Sequence, residues 1–442
     1  MKKGRTLRRA ARHSRASFVA AVLLAATTAA ARAQFTQYAP PGGALPLPDR
    51  EVGSQERFDR ALQASRWRLG KLYLDPWIGV RDLSLVSHAA LFGKSNRTYD
   101  LTATAGAGLD GILPLGEHMV WATHVSPRYV WFQEAQERRK VDLDAATGLY
   151  GSLGRLGLEA SVRRDERLRL FSQELEQQVN TRQDSALLAA TMQVQGGFAL
   201  FAEGSQRRFT ALERDLTVRV ERLDRDESAA VAGIGYRFHR GIRLQLGAAR
   251  SRVDFQSGGP ALDNRGQGLL LRAGHDTPWI AAGADLTYWT IEPRGADSRF
   301  QRFHDLAGSA RLQWKLSPRL TPELYGNRNL VYSLDPAAGY FIDSRWGLGV
   351  TSRPRERLSL RVFGEQGSND YQSPAGVSGP RRRDDVLTWG ATLEAAIGPL
   401  LAGIGAHRSH FDSNLPGLDR DVTVVQSHVT LALSLHRELI WE

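Results

Sequence analysis

From Trp67 onward the chain alternates apolar and polar residues with a period of two, over runs of ten or more residues. Tyr99, Leu101, Ala103, Ala105, Ala107 and Leu109 alternate with Thr98, Asp100, Thr102, Thr104, Gly106 and Gly108. Leu306, Gly308, Ala310, Leu312, Trp314 and Leu316 do so against Ala307, Ser309, Arg311, Gln313 and Lys315. Leu387, Trp389, Ala391 and Leu393 repeat the pattern against Thr388, Gly390, Thr392 and Glu394. Successive side chains of a strand point to opposite faces, so each run has one apolar and one polar wall. Globular strands usually hold about five or six residues. A tilted strand that crosses a bilayer needs about 9–11. These runs have the longer length.

The connections carry a second pattern. Short turns are expected near Leu115, Leu153, Gly196, Arg240, Thr277, Pro318, Arg355 and Pro399. Longer polar segments fall between them, around 87–97, 132–140, 164–183, 204–228, 255–266, 291–303, 333–340, 370–385 and 411–421. Nine long and eight short connections join eighteen strands, with both termini on the short-turn side, as in outer-membrane barrels. In hydrocarbon an unpaired backbone group costs several kcal/mol, so the sheet must close on itself. The expected fold is all-β, an antiparallel transmembrane β-barrel of about 18 strands spanning 67–442, wide enough for a water-filled lumen. A soluble periplasmic β-propeller is the alternative, since its repeats of roughly 40 residues have a similar spacing. Trp77, Trp121, Tyr129, Trp131, Trp279, Tyr288, Trp289, Tyr325, Trp346 and Trp389 lie near strand ends and are expected to form interfacial girdles.

Residues 1–33 read as a secretory signal peptide. Seven Lys and Arg residues between Lys2 and Arg15 precede an apolar stretch from Phe18 to Ala31, and Ala31-Arg32-Ala33 offers a cleavage site. The apolar stretch is too short to span a bilayer. The chain has 442 residues and a net charge of +11, but 1–33 hold eight basic residues and no acidic one. The rest carries only +3, which removes the case for a nucleic-acid partner. Residues 34–66 are expected to form a periplasmic linker, rich in Pro and Gly around 39–48, with one short helix carrying Phe58 and Leu62. At the far end Val425, Val429, Leu431, Leu433 and Leu435 share a face, Trp441 keeps that register, and Glu442 follows it.

The stretch from Arg57 and Phe58 through Ala61, Leu62 and Ser65-Arg66-Trp67-Arg68-Leu69-Gly70 to Leu74-Asp75-Pro76-Trp77 resembles the start of a bacterial family of β-barrel porins. These are the "beta-barrel porin 2" proteins associated with exopolysaccharide. The resemblance implies outer-membrane residence and, for some members, passage of a secreted polysaccharide. Outer-membrane lipid, lipopolysaccharide and the barrel-insertion machinery are then the expected partners.

Few motifs suggest chemistry. Zero Cys excludes thiol nucleophiles, disulfides and Cys-ligated metal. Gly106-Ala107-Gly108-Leu109-Asp110-Gly111 fits G-x-G-x-x-G, yet a dinucleotide site needs a helix after that loop, and here another alternating strand follows Pro114. No cofactor or metal is expected. His407, Ser409 and His410 form the one candidate nucleophile–base cluster, the basis of an alternative as an outer-membrane hydrolase; a structural barrel with partner-binding loops is the third reading. The inward register is expected to hold Arg128, Arg163, Arg243, Arg272, Arg311, Lys315, Arg345, Arg357 and Arg361, with Asp100, Asp142, Asp144, Glu159, Asp285 and Glu394. Such a wall is either a network of ion pairs or an arginine ladder that guides anions. The leading expectation is a porin-like aqueous path without enzymatic activity.

Overall fold

The computed structural model describes Leu62 and residues 67–432, apart from 89–97, 134–135, 173, 213–219, 239–240, 257–261, 296–297, 299, 336 and 374–379. The expected signal peptide, most of the 34–66 linker, and the terminal residues Leu433, Leu435, Trp441 and Glu442 lie outside the described residues.

β1 (Trp67–Leu69) is a stub that turns through Gly70 at positive φ and pairs back onto β2. The described residues then form eighteen long strands. They are β2 (Leu72–His88), β3 (Thr98–Pro114), β4 (Met119–Phe132), β5 (Lys140–Leu153), β6 (Leu156–Ser172) and β7 (Leu175–Gln193). β8 (Phe198–Ala211), β9 (Arg225–Arg237), β10 (Ile242–Phe255), β11 (Asn264–Asp276), β12 (Ile280–Pro293) and β13 (Phe303–Trp314) continue the wall. β14 (Leu320–Tyr332), β15 (Tyr340–Arg355), β16 (Leu358–Gln372), β17 (Arg383–Ile397), β18 (Leu400–Ser413) and β19 (Arg420–Ala432) complete it. Each pairs antiparallel with the next, and β19 pairs with β2, Val424 opposite Val86 and Ala432 opposite Trp77. One sheet closed into a ring is a barrel, which removes the propeller alternative.

Short turns occur at seven of the eight expected places, from 115–118 to the two-residue Gly398-Pro399 turn, and Arg240 lies outside the described residues. Three things differ. The segment 164–183, expected as a long loop, is the upper half of a paired hairpin whose strands β6 and β7 run unbroken to Ser172 and Leu175. Arg357, expected on the lumenal wall, is exposed in the Glu356-Arg357 turn, because β15 ends at Arg355 and β16 begins at Leu358.

The third difference concerns aromatics. Trp77, Trp289 and Tyr325 are buried inside the barrel instead of lying in a girdle. Each covers a glycine on the neighbouring strand. A Cβ at Gly108 would lie 2.1 Å from the Trp77 ring, one at Gly347 would lie 2.5 Å from Tyr325, and Gly268 sits under Trp289. A bulky inward ring needs a neighbour without a side chain. Gly106 and Gly108 are thus packing positions, Gly106 lying against the Arg128 side chain.

Candidate functional site

Inward and outward registers follow from the ladders. Arg128 (β4) stands opposite Asp142 (β5), Asp144 opposite Asp165 (β6), and Arg272 (β11) opposite Asp285 (β12). The charged side chains of these strands converge on shared counter-ions. Arg128 and Arg163 both bond Asp144, Arg163 Nη2 at 3.1 Å, and the His124 ring bridges Asp110 at 2.7 Å and Asp144 at 3.7 Å. Arg311 and Arg361 both bond Glu323, through Nε at 3.0 and 2.9 Å. Two other arginines each hold two carboxylates. Arg272 pairs with Glu203 at 2.7 Å and Asp285 at 3.0 Å, and Arg345 with Asp343 at 2.6 Å and Glu365 at 3.4 Å. Lys315 pairs with Asp276. Tyr325 donates its hydroxyl to Glu365 at 3.2 Å. Buried charges survive only when paired, so each knot fixes several strands at once.

Of the remaining expected wall residues, Arg243 is half-buried opposite Arg237 and Gly274, Glu159 is buried opposite Tyr150, and Glu394 is exposed opposite Ser359 and Gly403. Asp100 pairs in register with Val86. Glu203, Glu323, Asp343 and Glu365 complete the knots and were missed by the sequence reading. The signal was available for Glu323: it shares a strand face with Tyr325, which was expected in the interfacial girdle and is buried inside the barrel.

The inner wall is contacted at both ends. At the short-turn end Leu62 packs on an apolar patch of the inner wall made by Ile112, Val120, Ala122 and Tyr150. This is the one described residue of the expected helix, and it docks inside the barrel. At the long-loop end the β6–β7 hairpin crosses the mouth. Its tip residue Glu174 accepts hydrogen bonds from Ser333 Oγ at 2.6 Å and Leu334 N at 2.7 Å, in the connection between β14 and β15. That connection is eight strands away around an eighteen-stranded ring, almost opposite. Lower down, Asn180 donates to Asp142 at 2.9 Å, and Val179 enters an apolar core with Phe209, Val253, Leu262, Phe300 and Leu334. Burial raises the Glu174 carboxyl above its ordinary range, with Ser333, Leu334 and Arg382 acting against that rise.

The outward wall is the reverse of the inner one. Every strand from β2 to β19 exposes at least one large apolar side chain, such as Ile78, Val125, Leu188, Leu269, Leu348 and Ile404. Trp121, Tyr129, Tyr288, Trp346 and Trp389 are exposed on the same wall. A closed ring with that band is at rest only in a bilayer. The chain is an outer-membrane β-barrel.

Two solved structures with TM-scores above 0.5 share the fold. The chain is similar to OccAB3 of Acinetobacter baumannii (TM-score 0.51, 11% identity, 82% of this chain and 99% of that one). It is similar to OccK2 (OpdF) of Pseudomonas aeruginosa (TM-score 0.51, 13% identity, 82% and 98%). A BenF-like porin of Pseudomonas fluorescens follows at a TM-score of 0.49, with 12% identity over 83% of this chain and 100% of that one. No protein-family model matches the sequence, and no curated protein matches it.

The hydrolase cluster is divided by the wall. Ser409 is buried on the inward register and accepts a hydrogen bond from Thr388 Oγ1 at 2.9 Å. His407 shares that register, whereas His410 lies outside with Nδ1 3.0 Å from Asp421. No base reaches the Ser409 hydroxyl from these positions, and the hydroxyl does not face lipid.

Proposed function

We propose that the barrel provides an aqueous path for small polar solutes. The observation that carries this reading is the reversal of polarity across one closed wall, with compensated charge inside and apolar surface outside. A dry plug has no use for knots such as Asp144 and Glu323, whereas water and passing solutes are stabilised by them. In both of those knots two arginines share one carboxylate, and the more exposed members are Arg163 and Arg361. The Arg272 and Arg345 knots carry the opposite excess, so the four knots together favour neither sign of charge.

Narrowing at the long-loop end favours small solutes. The resemblance of residues 57–77 to exopolysaccharide-associated porins supports a polymer as cargo, but a polymer requires the hairpin to swing off the mouth. Swelling of proteoliposomes tests the reading. Folded protein should admit monosaccharides and small carboxylates and exclude long oligosaccharides; absence of swelling with every solute would sink it.

A further inference from the structure

The lipid-facing wall carries a groove of about 500 Å³ across β4 to β8. Two adjacent cross-strand rows build it. Trp121, Leu149, Ala160, Leu188 and Gly204 form one, and Thr147, Val162, Ala186 and Gln206 form the other. Large side chains make its sides and Ala and Gly its floor. The Trp121 indole N–H is spent on Thr147 Oγ1 at 2.7 Å, so the low end is apolar. At about 4.8 Å between neighbouring strands, five strands give a trough roughly 19 Å long, the scale of a fatty acyl chain.

The same rows continue upward. Gly204 pairs with Ala230 and Ala230 with Arg250; Gln206 pairs with Ser228 and Ser228 with Arg252. The rows climb as they go, because Trp121 is two residues from the short-turn end of β4 and Arg250 is eight from that of β10. Both arginines point outward and are exposed. Arg252 has Asp254 at 2.7 Å, while Arg250 has no ion pair among the described residues. An apolar trough that rises to guanidinium groups at the outer interface matches an amphiphile with a charged head.

We propose that the groove and the Arg250–Arg252 pair form one binding site for a phosphorylated lipid of the outer leaflet, of the lipid A class. An acyl chain lies along the trough and a phosphate meets the two guanidinium groups. The proposal rests on the membrane-spanning reading and is independent of the aqueous path, so loss of lipid binding leaves conductance unaffected.

Native mass spectrometry of the full-length barrel, released from detergent with lipid A or phosphatidylethanolamine, tests it. Two variants address the two halves: Arg250→Glu with Arg252→Glu for the head, and Gly204→Phe for the groove, where a Cβ meets nothing within 4 Å. Heat-modifiable gel migration reports that each is folded. Lipid A should be retained in preference to phosphatidylethanolamine, and each folded variant should retain roughly tenfold less lipid A. Equal retention of the two lipids, or lipid A retention unchanged in a folded variant, overturns the proposal.

Discussion

Glu174 accepts a hydrogen bond from Ser333 at 2.6 Å although the two residues belong to connections eight strands apart in the ring. No ladder brings them together. The β6–β7 hairpin must lean over the mouth to do so, and it is held there by this carboxylate and by Val179 in the apolar core.

That latch is expected to respond to pH. Burial raises the Glu174 carboxyl in the closed form, so closure takes up a proton. The latch is therefore fully stabilised below the ordinary carboxylate value of about 4.5 and weakens as pH rises through the raised one. Among the charged groups nearby, Arg382 favours the carboxylate and Asp335 opposes it. Channel current should rise from acidic toward neutral pH in the wild type. In Glu174→Gln, which stays neutral and keeps an acceptor, that dependence should vanish; a pH profile identical to wild type would refute the latch as its source.

The Glu323 knot makes a stability prediction. Glu323→Ala leaves Arg311 and Arg361 without their shared counter-ion, at a cost of about 3 kcal/mol. The variant should lose its heat-resistant fast gel band at lower temperature. If it still forms channels, its reversal potential in a salt gradient should shift toward anions. A melting temperature and selectivity equal to wild type would show that the knot is idle.

Two glycines form a matched pair. Gly108→Ala forces the Trp77 ring from its place and should cost about 1–3 kcal/mol. Gly204→Ala meets nothing within 4 Å and should be close to neutral in the same heat-modifiability assay. Equal effects at both positions would contradict the account of inward aromatics seated over glycine.

Ser409→Ala should leave any lipase or deacylase signal of purified protein at background, as in the wild type, because Ser409 faces the lumen with its hydroxyl bonded to Thr388. Turnover in the wild type that the substitution abolishes would revive the hydrolase reading.

Much of the barrel was legible in the sequence because hydrocarbon imposes period-two alternation, and because short turns use Gly and Pro. Leu306 to Leu316 and Leu387 to Leu393 show the first, Gly398-Pro399 the second. The hairpin above Arg164 was not legible. Both its faces leave the bilayer, so alternation fades, and cross-strand pairs such as Arg164–Asp184 at 2.7 Å replace it. Arg128, Arg163, Arg272, Arg311 and Arg345 stand on the inward register of alternating strands, whereas Arg357 falls in a turn that alternation does not mark. The partners Glu323 and Glu365 were not legible, since a knot depends on which strands meet around the ring. The Glu174 latch depends on a fold-over that no local pattern encodes.

Single-channel recording in planar bilayers, with wild type and Glu174→Ala compared at acidic pH, where the latch is fully stabilised, tests the central claim most directly. An aqueous path narrowed by a latched hairpin predicts discrete openings in the wild type and a larger conductance in the variant. Folded protein that gives no openings in either form would contradict it.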